Sequence, residues 1–184
     1  MKKTFVRLFV ILLIITVNTG GFAQKLITKT GSLKFQASVP SYEEVAAENK
    51  SVSAVLEQST GDFASLVFIK GFRFKVALME EHFNENYMES EKFSKATLKG
   101  KIEDFDISKI TNTSKDFTLK GAITIHGKTK PLTVIVKISK AANGVNAMGS
   151  FEVKPEDFDI EIPSIVRKKI ADKIKINYSF LLIQ

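Results

Sequence analysis

The stretch GAITIHGKTKPL, residues 121–132, combines two glycines with a Lys-Thr pair, the residue types of a phosphate-binding loop. Such a loop needs four residues between its glycines, because successive backbone N–H groups must wrap around the phosphates. Here five residues separate Gly121 from Gly127, and the Ile-Thr-Ile run at 123–125 is β-branched, which disfavours the dihedral angles of that loop. The stretch must therefore form something other than a phosphate-binding loop.

Carboxylates recur at spacings that acid–base or metal chemistry could use. Glu81, Glu85 and Glu89 lie four residues apart, and KIEDFDI at 101–107 is echoed by KPEDFDI at 154–160. Carboxylates along one helix do not enclose a cation, so we expect the glutamates to face water, with a calcium site as the alternative. We interpret each EDFD copy as a strand-end corner with a buried Phe, because nothing indicates the desolvation that acid–base catalysis near neutral pH requires.

Nucleophilic catalysis has little support in this sequence. The only histidines are His82 and His126, and no Gly-x-Ser-x-Gly or His-Glu-x-x-His motif occurs. The chain has no cysteine, which excludes disulfides, thiolate metal sites and cysteine nucleophiles. We expect no catalytic residues, no metal and no other cofactor, and an exported hydrolase is kept as an alternative that esterase and phosphatase substrates would test.

The elements that position these residues are mostly strands, because apolar and polar residues alternate along most of the chain after residue 30. Two alternating runs flank Gly127-Lys128-Thr129-Lys130, which predicts a β-hairpin with its turn at these four residues. Further runs around 33–37, 51–57, 63–74, 96–102, 145–153 and 174–182 bring the total to about eight strands. An all-β fold follows, either an antiparallel sheet closed on itself or a sandwich.

One segment departs from this alternation. Val76, Met79, Phe83 and Tyr87 recur at helical spacing, which predicts a single helix inserted at about 75–89. Arg73 alternates with Phe72 and Phe74, so we expect it to form an ion pair outside the sheet.

The N-terminus has the features of a secretory signal peptide. Lys2, Lys3 and Arg7 precede an apolar run at 8–17, and Gly21-Phe22-Ala23 supplies small residues for a signal peptidase. We expect cleavage after Ala23, export to the periplasm, and one domain over residues 24–184. A retained anchor is the alternative, but the apolar run is shorter than the roughly 18–20 residues that span a bilayer.

The charge balance limits the partners. The formal charge is +7, and residues 1–23 hold three of those positive charges, so residues 24–184 carry only about +4. That bias is too small to indicate nucleic acid, and it is compatible with transient contact with an anionic membrane surface.

Several blocks, in their order and spacing, resemble the YceI-like family of exported bacterial proteins: IKGFRF, LMEEHFNENYMES, KFSKATLKGKI and GAITIHGKTKPL. The resemblance extends over roughly residues 25–184, and HFNENYMES and IHGKTKP are its most specific parts. It implies an extended, lipocalin-like antiparallel β-barrel with the helix packed at one end. It also implies a long apolar channel that holds an isoprenoid chain, such as a polyprenyl phosphate or a quinone tail, and it provides no catalytic residues.

The interior positions are the apolar alternates of the strands. Alternation alone leaves open whether they fill the barrel or enclose a cavity, and only the resemblance favours a cavity. We expect the channel to be lined by Phe35, Phe68, Phe72, Phe74, Phe117, Leu119, Ile123, Ile125, Val134, Val136, Phe151, Ile176, Tyr178 and Phe180.

His126, Lys128 and Lys130 cluster at the predicted hairpin turn, where they could meet a phosphate or a quinone carbonyl at the rim of the channel. The alternative is that His126 holds the turn through a hydrogen bond while both lysines are solvated.

The sequence thus predicts a periplasmic protein that carries or sequesters an isoprenoid lipid without acting on it, of unspecified oligomeric state. Besides the hydrolase, a small membrane-associated structural barrel is kept as an alternative. The absence of Trp and the presence of only three Tyr argue against it, because such barrels carry aromatic girdles.

Overall fold

The computed structural model describes residues 24–39 and 42–184, and the predicted signal peptide lies outside these residues. Nine strands are described: β1 Lys25–Ser38, β2 Ala46–Glu57, β3 Asp62–Phe68, β4 Arg73–Phe74, β5 Lys95–Ile102, β6 Lys115–Ile125, β7 Lys128–Ala141, β8 Gly144–Val153 and β9 Ile170–Ile183. The helices are α1 Ala77–His82, extended by a π-helical turn at Phe83–Tyr87, and α2 Ser164–Arg167, with 3-10 turns at Ile69–Gly71, Ile107–Lys109 and Pro155–Phe158.

The strands form one antiparallel sheet that closes on itself. Their order is β1-β9-β8-β7-β6-β5-β3-β2-β4, and β1 also pairs with β2, so eight strands form a complete ring. The two-residue β4 adds to the end of β2 through the pairs Ala47↔Phe74 and Glu48↔Arg73. The predicted barrel of about eight strands with an inserted helix is therefore confirmed.

The alternation of residue types explains the closure. In β9, Ile176, Tyr178, Phe180 and Leu182 are buried, while the residues between them are at least partly exposed. Successive side chains of a strand point to opposite faces, so in a closed sheet one set lies inside and the other faces solvent.

The β6–β7 turn is shorter than the predicted four residues. Ile125 pairs with Lys128, so the turn consists of His126 and Gly127 alone, with φ of 50° and 74°. Positive φ at both positions is the mark of a two-residue type I′ turn, whose twist matches that of the flanking strands.

The inserted helix is confirmed, with a change of type in its second half. The Met88 N–H donates to the Phe83 carbonyl at 2.9 Å, the five-residue step of a π-helix. The Asn84 side chain donates to the Glu80 carbonyl at 2.8 Å, so the side-chain amide competes for the acceptor of a regular helical bond. Glu81, Glu85 and Glu89 are all exposed, as expected.

The two ends of the barrel differ. At the end opposite α1, large side chains are shielded from solvent: Leu56, Ile138 and Leu182 are 0% exposed and Val145 is 1% exposed. The other end carries α1, α2, the β1–β2 loop and the β6–β7 turn. None of the helices that the structure describes is long and apolar enough to cross a membrane.

The two EDFD copies form corners of different geometry. Phe158 is 3% exposed, whereas Phe105 is only half-buried against the core. The residue in the left-handed region is Asp104 in the first copy and Asp159 in the second. The expected buried Phe is confirmed for the second copy and only partly for the first.

Candidate functional site

A cavity of about 430 Å³ occupies the half of the barrel beneath α1. Its wall is built by inward-facing side chains of the barrel strands, and α1, the β1–β2 loop and the segment between β8 and β9 cover it. Pockets of about 300–1,000 Å³ with mainly apolar walls are typical of small-molecule sites. The apolar alternates thus enclose a space in this half and fill the other half.

Most residues predicted to line a channel do line this cavity. They are Phe35, Phe72, Phe74, Leu119, Ile123, Ile125, Val136, Phe151, Ile176, Tyr178 and Phe180. That they contact a ligand stays a prediction.

Three of the predicted lining residues lie elsewhere. Phe117 and Val134 are buried in the core but do not reach the cavity, and Phe117 packs against Phe105 at the filled end of the barrel. Phe68 is 58% exposed on the outer face. The prediction carried one alternation from Phe63 to Phe74, but the 3-10 turn at Ile69–Gly71 interrupts it, so Phe68 points outwards while Phe72 points inwards.

Phe83 closes the cavity from the side of the helix. Its ring centroid lies 5.3 Å from that of Phe35, 5.7 Å from that of Phe72 and 5.1 Å from that of Phe74. Such separations are those of favourable aromatic pairs. The Phe83 ring, in the π-helical turn that extends α1, thus packs the helical segment against the cavity wall.

Tyr178 is the polar group set deepest in this apolar wall. Its ring stacks on Phe180 at 5.4 Å, and its buried hydroxyl has no hydrogen-bond partner among the residues that the structure describes. Burial raises the pKa of Tyr178 to about 12, since the phenolate loses its hydration there. Gly149 leaves room for it, because a Cβ at that position would lie 2.4 Å from the hydroxyl oxygen.

The other polar lining residues fall into two groups. Ser65 and Thr97 are half-buried in the wall, whereas Glu43, His82 and Lys169 are exposed. Tyr42, also exposed, borders the cavity beside Glu43. The cavity therefore reaches solvent between the β1–β2 loop, α1 and the segment around α2, and we call this opening the mouth.

The lining residues of α1 and its π-helical extension could be predicted from the sequence, whereas those in and after α2 could not. Met79, Phe83 and Tyr87 line the cavity and share the helical spacing on which the helix was predicted. Val166 and Lys169 belong to a four-residue helix and the residues after it, too short for a periodic signal.

His126 connects three segments at this end of the barrel. Its Nδ1 lies 3.0 Å from the Phe158 carbonyl oxygen and its Nε2 lies 2.8 Å from Glu89 Oε2, while its ring packs on Phe93 at 4.2 Å. A carbonyl oxygen only accepts, so Nδ1–H is the donor to Phe158. The expected turn-holding hydrogen bond of His126 is present.

The two predicted rim lysines pair with the second EDFD copy. Lys128 Nζ lies 2.7 Å from Asp159, and Lys130 Nζ lies 3.9 Å from Asp157. The hydrogen bond from Lys128 lowers the pKa of the Asp159 carboxyl. None of His126, Lys128 and Lys130 lines the cavity, so the structure does not bring the predicted rim cluster to the mouth.

Arg73 forms the exterior ion pair that was expected. Its Nη1 lies 2.9 Å from Glu80 Oε1, and it also donates to the carbonyls of Lys70 and Phe72. Its side chain is 67% exposed, so it supports the start of α1 from outside and does not reach the cavity.

The chain is similar to known proteins in sequence pattern and in fold. The family model described as YceI-like domain matches residues 15–182. No curated protein sequence matches the chain.

Solved structures are also similar in fold, and three of them are compared with this chain. A polyisoprenoid binding domain from Saccharophagus degradans, implicated in plant cell wall breakdown, aligns with a TM-score of 0.74 at 11% identity, over 86% of this chain and 97% of that one. Burkholderia cenocepacia BcnA aligns with a TM-score of 0.67 at 16% identity, over 83% and 96%. The Campylobacter jejuni YCEI protein aligns with a TM-score of 0.62 at 17% identity, over 79% and 89%.

Proposed function

Because this chain belongs to the YceI-like family, we propose that its cavity holds the hydrocarbon chain of an isoprenoid lipid, such as a polyprenyl phosphate or an isoprenoid quinone. The protein carries or sequesters this lipid without acting on it. The observation that carries the proposal is the hollow half of the barrel, where apolar side chains that could have met in the middle enclose about 430 Å³ instead.

The character of the wall supports an apolar ligand. Each methylene of a ligand that leaves water contributes about 0.8 kcal/mol, before the cost of ordering the chain is subtracted. A long prenyl chain therefore needs no polar contact in order to bind. The similar fold of the polyisoprenoid binding domain from Saccharophagus degradans supports the same class of ligand.

The arrangement of polar groups supports a role without chemistry. His126 is tied to Phe158 and Glu89 away from the cavity, and the other histidine, His82, is exposed at the mouth with no hydrogen bond to another described residue. General acid–base catalysis needs a positioned group within hydrogen-bond reach of the reacting atom. The lining offers a place for a head group at the mouth, where Glu43, His82 and Lys169 meet solvent.

We also propose that the protein works in the periplasm. The support is the positive and apolar pattern of residues 1–23, which is typical of a signal peptide. N-terminal sequencing of the exported protein should begin at Gln24, and a retained Met1 would contradict the proposal.

Mass spectrometry of organic extracts tests the ligand. The protein purified from its own host should release a prenyl lipid in amounts close to one molecule per chain. The control is Ala96→Phe, which places a large side chain in the cavity wall and should release much less. Extracts without prenyl lipid, or an equal yield from Ala96→Phe, would contradict the assignment. Turnover of esterase or phosphatase substrates by the purified protein would favour the hydrolase instead.

A further inference from the structure

We propose that the mouth of the barrel docks onto a phospholipid bilayer, with α2 and the N-terminal end of α1 against the head groups. The inference rests on the proposed function, because a protein that takes up a membrane lipid must receive it from a bilayer. It adds the surface that makes the contact and the residues that drive it.

Exposed apolar side chains border the mouth on three segments. Tyr42 in the β1–β2 loop is 48% exposed, Leu78 in α1 is 57% exposed, and Ile165 in α2 is 86% exposed. Together with Val76, which is 40% exposed, we call them the mouth patch. An Ile with that exposure at the tip of a short helix is unfavourable in water, and its burial in a bilayer interface would be favourable.

Three of the four residues of the mouth patch line the cavity or directly precede a residue that lines it. Leu78 precedes Met79, Ile165 precedes Val166, and both Met79 and Val166 line the cavity, as does Tyr42 itself. A prenyl chain that moves from the bilayer into the barrel would pass these exposed apolar side chains at the entrance of the cavity. Without docking, the same chain would have to cross water, which is unfavourable for every methylene exposed.

Charge favours the α2 side of the mouth. Lys168 and Lys169 follow α2 directly, and neither pairs with an acid among the residues that the structure describes, whereas Arg167 pairs with Asp172 at 3.3 Å. The two unpaired ammonium groups would attract lipid phosphates, while the exposed Ile165 side chain would enter the apolar boundary of the bilayer. Glu43 is exposed on the β1–β2 loop, and Glu161 is exposed before α2, so we expect the C-terminal end of α2 with Lys168 and Lys169 to make the main contact.

The outer wall of the barrel provides a matched comparison surface. Ile135 and Leu181 are 49% and 52% exposed on strands β7 and β9, and neither lines the cavity. They have the same residue types as Ile165 and Leu78 but lie away from the three segments that border the mouth. Substitutions there change exposed apolar area without changing the proposed docking surface.

The experiment measures binding of the purified protein to vesicles of phosphatidylcholine, with and without phosphatidylglycerol, by flotation. We expect the double variant Leu78→Ser, Ile165→Ser to lose about tenfold or more in partition coefficient, and Ile135→Ser, Leu181→Ser to remain close to the unsubstituted protein.

We also expect Lys168→Gln, Lys169→Gln to weaken binding to the phosphatidylglycerol vesicles more than Lys99→Gln, Lys101→Gln does. All proteins are prepared identically, so residues 1–23 cannot account for a difference.

Equal losses for the two double variants, or no vesicle binding at all, would overturn the inference. So would a mouth-patch variant that changes the sedimentation coefficient but not vesicle binding, because the patch would then be a contact between copies of this chain. Farnesol binding without vesicles separates the two proposals. A protein that binds farnesol but not vesicles loses only the docking inference, whereas one that does not bind farnesol loses the proposed function.

Discussion

His126 Nε2 lies 2.8 Å from Glu89 Oε2 and so connects the β6–β7 turn to the second residue after the π-helical turn. Through Nδ1 the same ring holds the Phe158 carbonyl, and the His126 side chain is only 9% exposed. One imidazole thus fixes the turn, the end of the helical segment and the corner before β9 relative to one another. All three belong to the end of the barrel that contains the cavity.

Replacement of His126 by Ala should lower the free energy of unfolding by about 1–3 kcal/mol, because it leaves a buried carbonyl without a donor and removes a packed ring. Chemical denaturation measures the difference. His82→Ala is the control, since the His82 side chain is exposed and makes no hydrogen bond with a described residue, and it should change stability by less than about 0.5 kcal/mol. Equal effects of the two substitutions would show that the contacts of the His126 ring with Phe158 and Glu89 do not contribute to stability.

Tyr178→Phe should leave stability unchanged or raise it by about 1 kcal/mol at neutral pH. The Tyr178 hydroxyl is buried without a partner in the described part of the chain, so its removal eliminates a desolvated polar group while the ring stays in place. Thermal and denaturant unfolding of the two proteins give the comparison. A loss of more than about 1 kcal/mol would mean that the hydroxyl has a partner, such as a bound water.

Because the pKa of Tyr178 is raised, we also expect the protein to lose stability at alkaline pH. The pKa of Tyr178 is raised from 10.0 to about 12 in the folded protein, so below pH 10 its ionisation does not affect the free energy of unfolding. As the pH rises from 10 towards 12, the tyrosine ionises only in the unfolded chain, and the free energy of unfolding falls. The loss should reach about 2 kcal/mol. The difference in unfolding free energy between Tyr178→Phe and the unsubstituted protein should therefore grow across this range. A constant difference would contradict the raised pKa.

At the opposite end of the pH scale, Asp106 should titrate at unusually low pH. Hydrogen bonds from the Ser108 side chain, from Lys109 and from the Ser108 backbone N–H lower the pKa of this carboxyl from 3.8 to about 2. Its stabilising contribution is present above pH 3.8 and is lost as the pH falls through about 2. Carboxyl NMR titration should show that Ser108→Ala moves the midpoint upwards, and an unmoved midpoint would exclude Ser108 as the main cause.

Phe83→Ala should loosen the helical cover of the cavity. The Phe83 ring packs against Phe35, Phe72 and Phe74, so its loss should cost about 1–3 kcal/mol and speed amide hydrogen exchange in α1. Phe68→Ala is the matched control, because Phe68 has the same side chain but is 58% exposed on the outer face. Exchange in α1 that responds equally to both substitutions would show that Phe83 does not hold the helix.

The strand pattern made the barrel predictable because a side-chain period of two directly reports which face of a strand is buried. The prediction for Phe68 was wrong because three residues in a 3-10 turn interrupt the alternation between β3 and β4, without any marked change in composition. The π-helical turn could not be predicted from the sequence either, since the Asn84 side chain binds the Glu80 carbonyl there. Local periodicity carries no information about such competition.

The candidate site was predictable only in part, for a different reason. Inward-facing residues such as Leu119 and Val136 read alike in sequence whether they meet across a barrel or line a space. In this protein both outcomes occur, with Leu56 and Leu182 filling one half and Phe35 and Ile176 lining the other. The mouth residues Val166 and Lys169 lie on a segment without periodicity and become visible only when the chain is folded.

Titration with geranylgeraniol tests most directly whether the hollow half of the barrel binds a prenyl chain. The account predicts saturable binding, weakened about tenfold or more by Ala96→Phe, which intrudes on the cavity, and unchanged by Ala64→Phe, which lies on the outer face of β3. Denaturation curves would confirm that both variants fold. If Ala96→Phe is folded and binds geranylgeraniol as tightly as Ala64→Phe does, the lipid does not occupy this cavity and the account is wrong.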